Sequence, residues 1–176
     1  SAEPTPPEEI VDTMDALVQT GRARHWGVAS RNVDEVARLL EVCEATGKAP
    51  LACLQNGYNL IGKYADTEGL FPLLRRTGLG VQAIGPHAGG ALVGPAGTAR
   101  VNPAFPELGL ALTELLNVVD DVAADLGVPR SQVCVAWVLS HPEITTSLAG
   151  AESAEEVEDN LAGSLLELPP EAIAPL

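Results

Sequence analysis

Aromatic residues are scarce: two tryptophans, two tyrosines and two phenylalanines make up 3% of the 176 residues. A core built from this chain has to rest on leucine, valine and alanine. Positive charge is also scarce. Ten Lys and Arg against 24 Asp and Glu leave a net charge of −14, which argues against nucleic acid and against anionic membrane surfaces as partners. No apolar run reaches the ~18 residues that cross a bilayer. The opening residues, Ser1-Ala2-Glu3-Pro4, carry no basic or apolar signal region, so a cytoplasmic location is expected. Cysteine is sparse and odd in number. Cys43, Cys53 and Cys134 are scattered in apolar contexts, as small core residues in a reducing compartment would be. No pair of His, Cys or acidic residues has ligand spacing, so no metal site is expected.

What the chain does have is a hydrophobic content of 46%, enough for one folded domain over residues 1–176. The stretch from Ile144 to Asn160 organises the reading. Its β-branched and apolar start predicts a strand. Gly150 predicts a turn, and Ser153 an N-cap with Glu156 as capping-box partner. A strand that feeds a helix N-terminus through glycine is a ready anion site. Here Glu152, Glu155, Glu156, Glu158 and Asp159 crowd that turn, which suits the helix and opposes a bound phosphate.

Upstream the same alternation repeats. Apolar spacing at Ile10, Met14, Leu17 and Val18 predicts a first helix with Thr5 as N-cap. Strand candidates follow at Arg24–Ser30, Pro50–Asn56 and Gly80–Gly85, each leading toward a helix: one capped by Asn32 and closed by Gly47, and a short one capped by Thr67 and closed by Gly78. Val93 to Gly109, rich in Gly and Pro, reads as a long surface loop. Helices are expected from Leu110 to Leu126 and from Ser131 to the His141-Pro142 stop, with one more helical turn near the end. Strands alternating with helices call for a parallel sheet with helical crossovers. Functional residues of such a sheet lie in the loops after its strands: Ala29-Ser30-Arg31, Gln55-Asn56-Gly57-Tyr58, Gly85 to Gly90, and Gly150-Ala151-Glu152.

At those loops the chain resembles the aldo-keto reductases. The likeness is carried in order by Gly21-Arg22-Ala23-Arg24-His25-Trp26-Gly27-Val28, Leu54-Gln55-Asn56-Gly57-Tyr58-Asn59-Leu60, Gly80 to Gly90, Gly127 through Trp137, and Ala149 through Leu161. It covers the second half of the family's (β/α)8 barrel. The fold it implies is α/β: half of a TIM-type barrel, about four parallel strands with outer helices. The activity it implies is hydride transfer from NADPH to a carbonyl. The family's tyrosine proton donor and its aspartate, lysine and histidine partners belong to the first half. Tyr58, Tyr64, Lys48 and Lys63 do not match them, so no residue here inherits the catalytic role.

The half represented is the cofactor-binding one. The resemblance assigns cofactor contacts to Ser30, Gln55, Gly150, Ala151, Asp159 and Asn160. It also exposes departures. Ala29-Ser30 stands for the Ser-Asn pair at the nicotinamide amide. Ile84 replaces the stacking aromatic ring. Glu152 aligns with the basic residue that pairs with the 2′-phosphate, a charge reversal that weakens NADP recognition or abolishes it. His87 stands at the mouth of the third strand, where it reads either as a general acid or base or as a surface imidazole bonded to backbone. His25 reads as packed or peripheral in the first strand, and His141 as the end of a helix. Two functions remain open. One is an oxidoreductase fragment or subunit, active when the other half of the barrel completes it. The other is a cofactor-independent descendant: a small-molecule-binding or assembly protein, or a non-redox enzyme in the old cleft. Open strand edges predict a homodimer or a partner chain that closes the barrel.

Overall fold

The computed structural model describes residues 5–29, 32–63, 69–94 and 106–176, the side chains of 106–110 excepted. Four strands form one parallel sheet in chain order: β1 (Trp26–Ala29), β2 (Leu51–Gly57), β3 (Gly80–Ile84) and β4 (Thr146–Leu148). Among the described residues seven α-helices accompany them: α1 (Pro7–Gln19), α2 (Val33–Thr46), α3 (Leu70–Thr77), α4 (Pro106–Leu126), α5 (Arg130–Leu139), α6 (Ala154–Leu165) and α7 (Pro170–Ile173). This is the α/β arrangement expected of half a (β/α)8 barrel. The chain's contacts fall into two compact units, residues 1–56 with 64–82 and residues 57–63 with 83–176.

In the first unit, α1 starts at Pro7, where a missing N–H costs nothing. The N-cap is Pro6 and not Thr5, and it makes no side-chain cap bond. Asn32 does cap α2: its side chain accepts from Glu35 N, and the Glu35 carboxylate accepts from Asn32 N, a complete capping box. The next helix, α3, begins after Gly69; the expected cap, Thr67, lies outside the described residues. Helix α1 packs on α2. Arg38 of α2 pairs with Glu8 of α1 at 2.7 Å, and Lys48 bonds Asp12. Strand β1 runs beside β2 with a register shift between Trp26 and Gly27. A β-carbon on Gly27 would stand 2.5 Å from Cys53 Sγ and 2.7 Å from Cys53 O, so glycine is what lets the two strands approach. His25 precedes β1 and is exposed. Leu54 and Asn56 of β2 and Val81 and Ala83 of β3 are buried; Gln55, Gln82 and Ile84 alternate with them and stay half-buried.

In the second unit, α5 supplies the core. Val133 to Val138 are all buried, as the unbroken apolar run predicts. Helix α4 begins at Pro106, four residues inside the segment read from sequence as loop. The segment's Gly and Pro content and lack of period hid those helical residues. Residues 95–105 lie outside the described set. Helix α6 lies against α5. Gly163 makes the approach: a β-carbon there would stand 2.9 Å from Gln132 Cα and 3.1 Å from Gln132 O.

Candidate functional site

A cavity of about 710 Å³ opens at the carboxyl ends of β3 and β4. Its walls come from the turn after β3 (Gly85, Pro86, His87, Gly89, Gly90, Val93), from Ser131 at the start of α5, and from the turn into α6 with that helix's first residues (Gly150, Ala151, Glu152, Glu156, Asp159, Asn160). The sheet puts these segments together. Gly85 N donates to Leu148 O at 3.1 Å, so the two strands end side by side and their loops share one mouth. Left-handed φ values at Gly85, Gly89 and Gly90 (71°, 64° and 91°) turn the chain back on itself there.

Side chains on the α5–α6 side of the cavity are tied to one another. The Ser131 hydroxyl donates to the Asp159 carboxylate, and Gln132 Nε2 donates to its other oxygen at 2.7 Å. Asp159, assigned by resemblance to the cofactor, thus has both oxygens held by α5. Asn160 Nδ2 donates to Gly150 O at 3.3 Å and so fixes the turn that precedes its own helix. His87 Nε2 donates to Ser131 O at 3.2 Å. A carbonyl only accepts, so that bond requires the proton on Nε2.

The helix start is where the structure revises a local expectation. Ser153 is the N-cap, and its hydroxyl accepts from Glu156 N at 3.2 Å. The Glu156 carboxylate does not return to Ser153 N. It accepts from Glu152 N, one residue earlier, at 2.6 Å. One amide of the turn that would face an anion is therefore held by the chain's own carboxylate, with Glu152 exposed beside it.

Four residues assigned by the resemblance, Gly150, Ala151, Asp159 and Asn160, meet in this cavity together with His87. Gln55 lies in β2, where its amide donates to Gln82 Oε1 at 3.2 Å. Ser30 lies outside the described residues. Sequence reading missed two groupings. Arg130 grips Asp120 at 2.6 and 2.7 Å and also donates to Leu92 O and Gly94 O; this pins the segment after β3 to α4 and α5. Tyr58 stacks on Trp137 at 5.2 Å, His141 meets both rings edge-on, and Lys63 lies 5.1 Å from the Trp137 ring. His141 also donates from Nδ1 to Trp137 O at 2.9 Å. Both groupings depend on residues remote in sequence, Arg130 with Leu92 and Gly94 and Tyr58 with Trp137 and His141, which no spacing rule links. Among the described residues no group of three or more His, Cys, Asp or Glu could hold a metal ion, and no helix is long and apolar enough to cross a membrane.

A parallel sheet flanked by helices, with a cavity over the carboxyl ends of its last two strands, defines a strand–helix protein of the barrel class. The family model of the aldo/keto reductases matches residues 2–176, and the chain belongs to that family. Similar proteins include the L-glyceraldehyde 3-phosphate reductase of Escherichia coli (strain K12), 30% identical over 172 residues, or 90% of this chain and 49% of that protein. The versiconal hemiacetal acetate reductase of Aspergillus parasiticus is 26% identical over 179 residues, 96% of this chain and 52% of that protein. A probable voltage-gated potassium channel subunit beta of Oryza sativa subsp. japonica is 26% identical over 170 residues, 89% of this chain and 52% of that protein. The chain spans about half the length of these curated relatives.

Proposed function

We propose that this chain supplies the nucleotide-binding side of an aldo/keto reductase that reduces a carbonyl once further strands and their acid catalyst complete the barrel. The observation that carries the reading is the cavity over β3 and β4, which gathers Gly150, Ala151, Asp159 and Asn160 at one helix start. A reduced nicotinamide dinucleotide, when bound, supplies the hydride. The chain's own residues do the holding. A β-carbon on Gly150 would meet nothing within 4 Å, so the backbone there is open to a close ligand. Ser131 and Gln132 fix Asp159, and Asn160 fixes the Gly150 turn. The same residues suit a dinucleotide better than its 2′-phosphorylated form. Glu152 stands where the family's phosphate-binding cation aligns, and Glu156 already occupies the Glu152 amide.

Titration calorimetry with NADPH and NADH tests this. Both are expected to bind weakly, with no advantage for NADPH. Glu152→Arg is expected to favour NADPH by roughly tenfold or more, since a charge-assisted contact contributes about 1.5–3 kcal/mol. A wild-type preference for NADPH at micromolar affinity overturns the assignment of Glu152. Failure of both nucleotides to bind overturns the cofactor reading. It would leave the second one, a cofactor-independent protein that uses the cleft for an uncharged small molecule; the Glu156–Glu152 bond favours that reading because it fills the anion position from within.

A further inference from the structure

His87 is the one polar side chain that the turn after β3 offers to the cavity; the turn's other lining residues are Gly85, Pro86, Gly89, Gly90 and Val93. Its backbone is settled without the ring, because His87 O accepts from Gly90 N at 3.0 Å and from Leu92 N at 3.2 Å. The residue is half-buried. Nε2 donates to Ser131 O at 3.2 Å. That carbonyl can only accept, so the first proton of the ring is committed to Nε2. Nδ1 has no hydrogen-bond partner among the described residues. In the neutral ring Nδ1 is therefore an acceptor, and only the imidazolium can donate from it.

Charge decides what that atom can meet. Glu152, Glu156 and Asp159 line the same cavity, and among the described residues no Lys or Arg does. Arg130, on α5, is taken up by Asp120 and by the carbonyls of Leu92 and Gly94. A dinucleotide brings a diphosphate, which offers acceptors and no donor. Against the neutral ring, lone pair would face lone pair. Against the imidazolium, the contact is a charge-assisted hydrogen bond. His87 is thus the only lining side chain able to supply positive charge, and it does so only by taking a second proton from solvent. Building on the cofactor reading above, we propose that His87 couples nucleotide binding to protonation: a proton enters at Nδ1 as the diphosphate binds. Affinity for the dinucleotide then rises as pH falls through the imidazole range.

The test is calorimetric titration of the chain with NADH at about pH 6 and about pH 8, beside His87→Gln, whose amide can still donate to Ser131 O but takes up no proton. Wild type is expected to bind roughly tenfold or more tighter at the lower pH, and His87→Gln to bind alike at both. In wild type the ring resonances of His87, followed by NMR, are expected to titrate at higher pH once NADH is added, as linkage requires; this reading needs no variant. A pH dependence that persists in His87→Gln, or none in wild type, overturns the proposal. Sodium sulfate, whose charge is constant over this range, is the second probe. If NADH fails to bind at either pH while sulfate moves the His87 titration upward, protonated His87 stands as an anion contact and the nucleotide reading falls. NADH that binds alike at both pH values leaves that reading standing and removes the coupling. If neither probe binds, both fall.

Discussion

Gly163 lies where α6 meets α5, and the contact distances there decide between two opposing effects. Alanine would favour the helix by up to about 1 kcal/mol. Its methyl group would also stand 2.9 Å from a backbone carbon of Gln132, which cannot move without shifting α5. Gly163→Ala is therefore expected to destabilise by about 1–3 kcal/mol, read as a lower midpoint in denaturant with unchanged slope. A gain in stability would show that the two helices have room to separate. Cys134 offers a pH test. Burial pushes its thiol from an ordinary 9.0 up to about 12. The folded chain keeps that proton when the unfolded chain has lost it, so stability is intact below pH 9 and falls as pH rises toward 12, by up to about 1.4 kcal/mol per unit. Cys134→Ala is expected to flatten that alkaline slope in chemical denaturation. An unchanged slope would place the titration elsewhere.

Among the elements, α2 and the segment after β3 are held in different ways. The Asn32–Glu35 capping box is local, and Asn32→Ala is expected to cost about 0.5–2 kcal/mol, measurable as a fall in thermal midpoint. The segment at Leu92 and Gly94 is held from a distance by Arg130, whose other contacts are to Asp120. Arg130 is largely buried while Asp120 is about half exposed, so solvent weakens the pair. Arg130→Met is expected to cost about 1–2 kcal/mol. It should also speed hydrogen exchange at the amides of Leu92 and Val93, which donate to His87 O and Gly90 O. Unchanged exchange there would show that the turn's own backbone bonds suffice to hold it.

For the whole molecule, two expectations follow, one from composition and one from the reading that no tyrosine of these 176 residues matches the family's proton donor. Purified as the 176-residue polypeptide, the chain is expected to reduce no aldehyde with either nucleotide, because on that reading it lacks an acid or base group that contributes about 10²–10⁴ in rate. Ordinary turnover in a steady-state assay, with the mass confirmed, would mean that residues of this chain supply the proton. Solubility is expected to be lowest near pH 4.4, the isoelectric point, where the acidic self-repulsion vanishes. Light scattering across pH 4 to 8 checks it.

The sequence by itself determined the order of strands and helices, because hydrophobic periodicity, glycine stops and the Asn32 and Ser153 caps are short-range signals. It also located the β4–α6 turn and the residues Gly150, Ala151, Asp159 and Asn160 around it. It read residues 106–109 as loop where α4 already runs, and placed the first cap at Thr5 when Pro6 holds that position. Tertiary structure alone decided which partners these groups take. Glu156 bonds Glu152 N where a capping box would have it bond Ser153 N. Asp159 is bound by Ser131 and Gln132, which lie 28 and 27 residues away in the chain. Such choices depend on how closely α5 and α6 approach, a distance set by Gly163 against Gln132 and by no property of either helix taken alone.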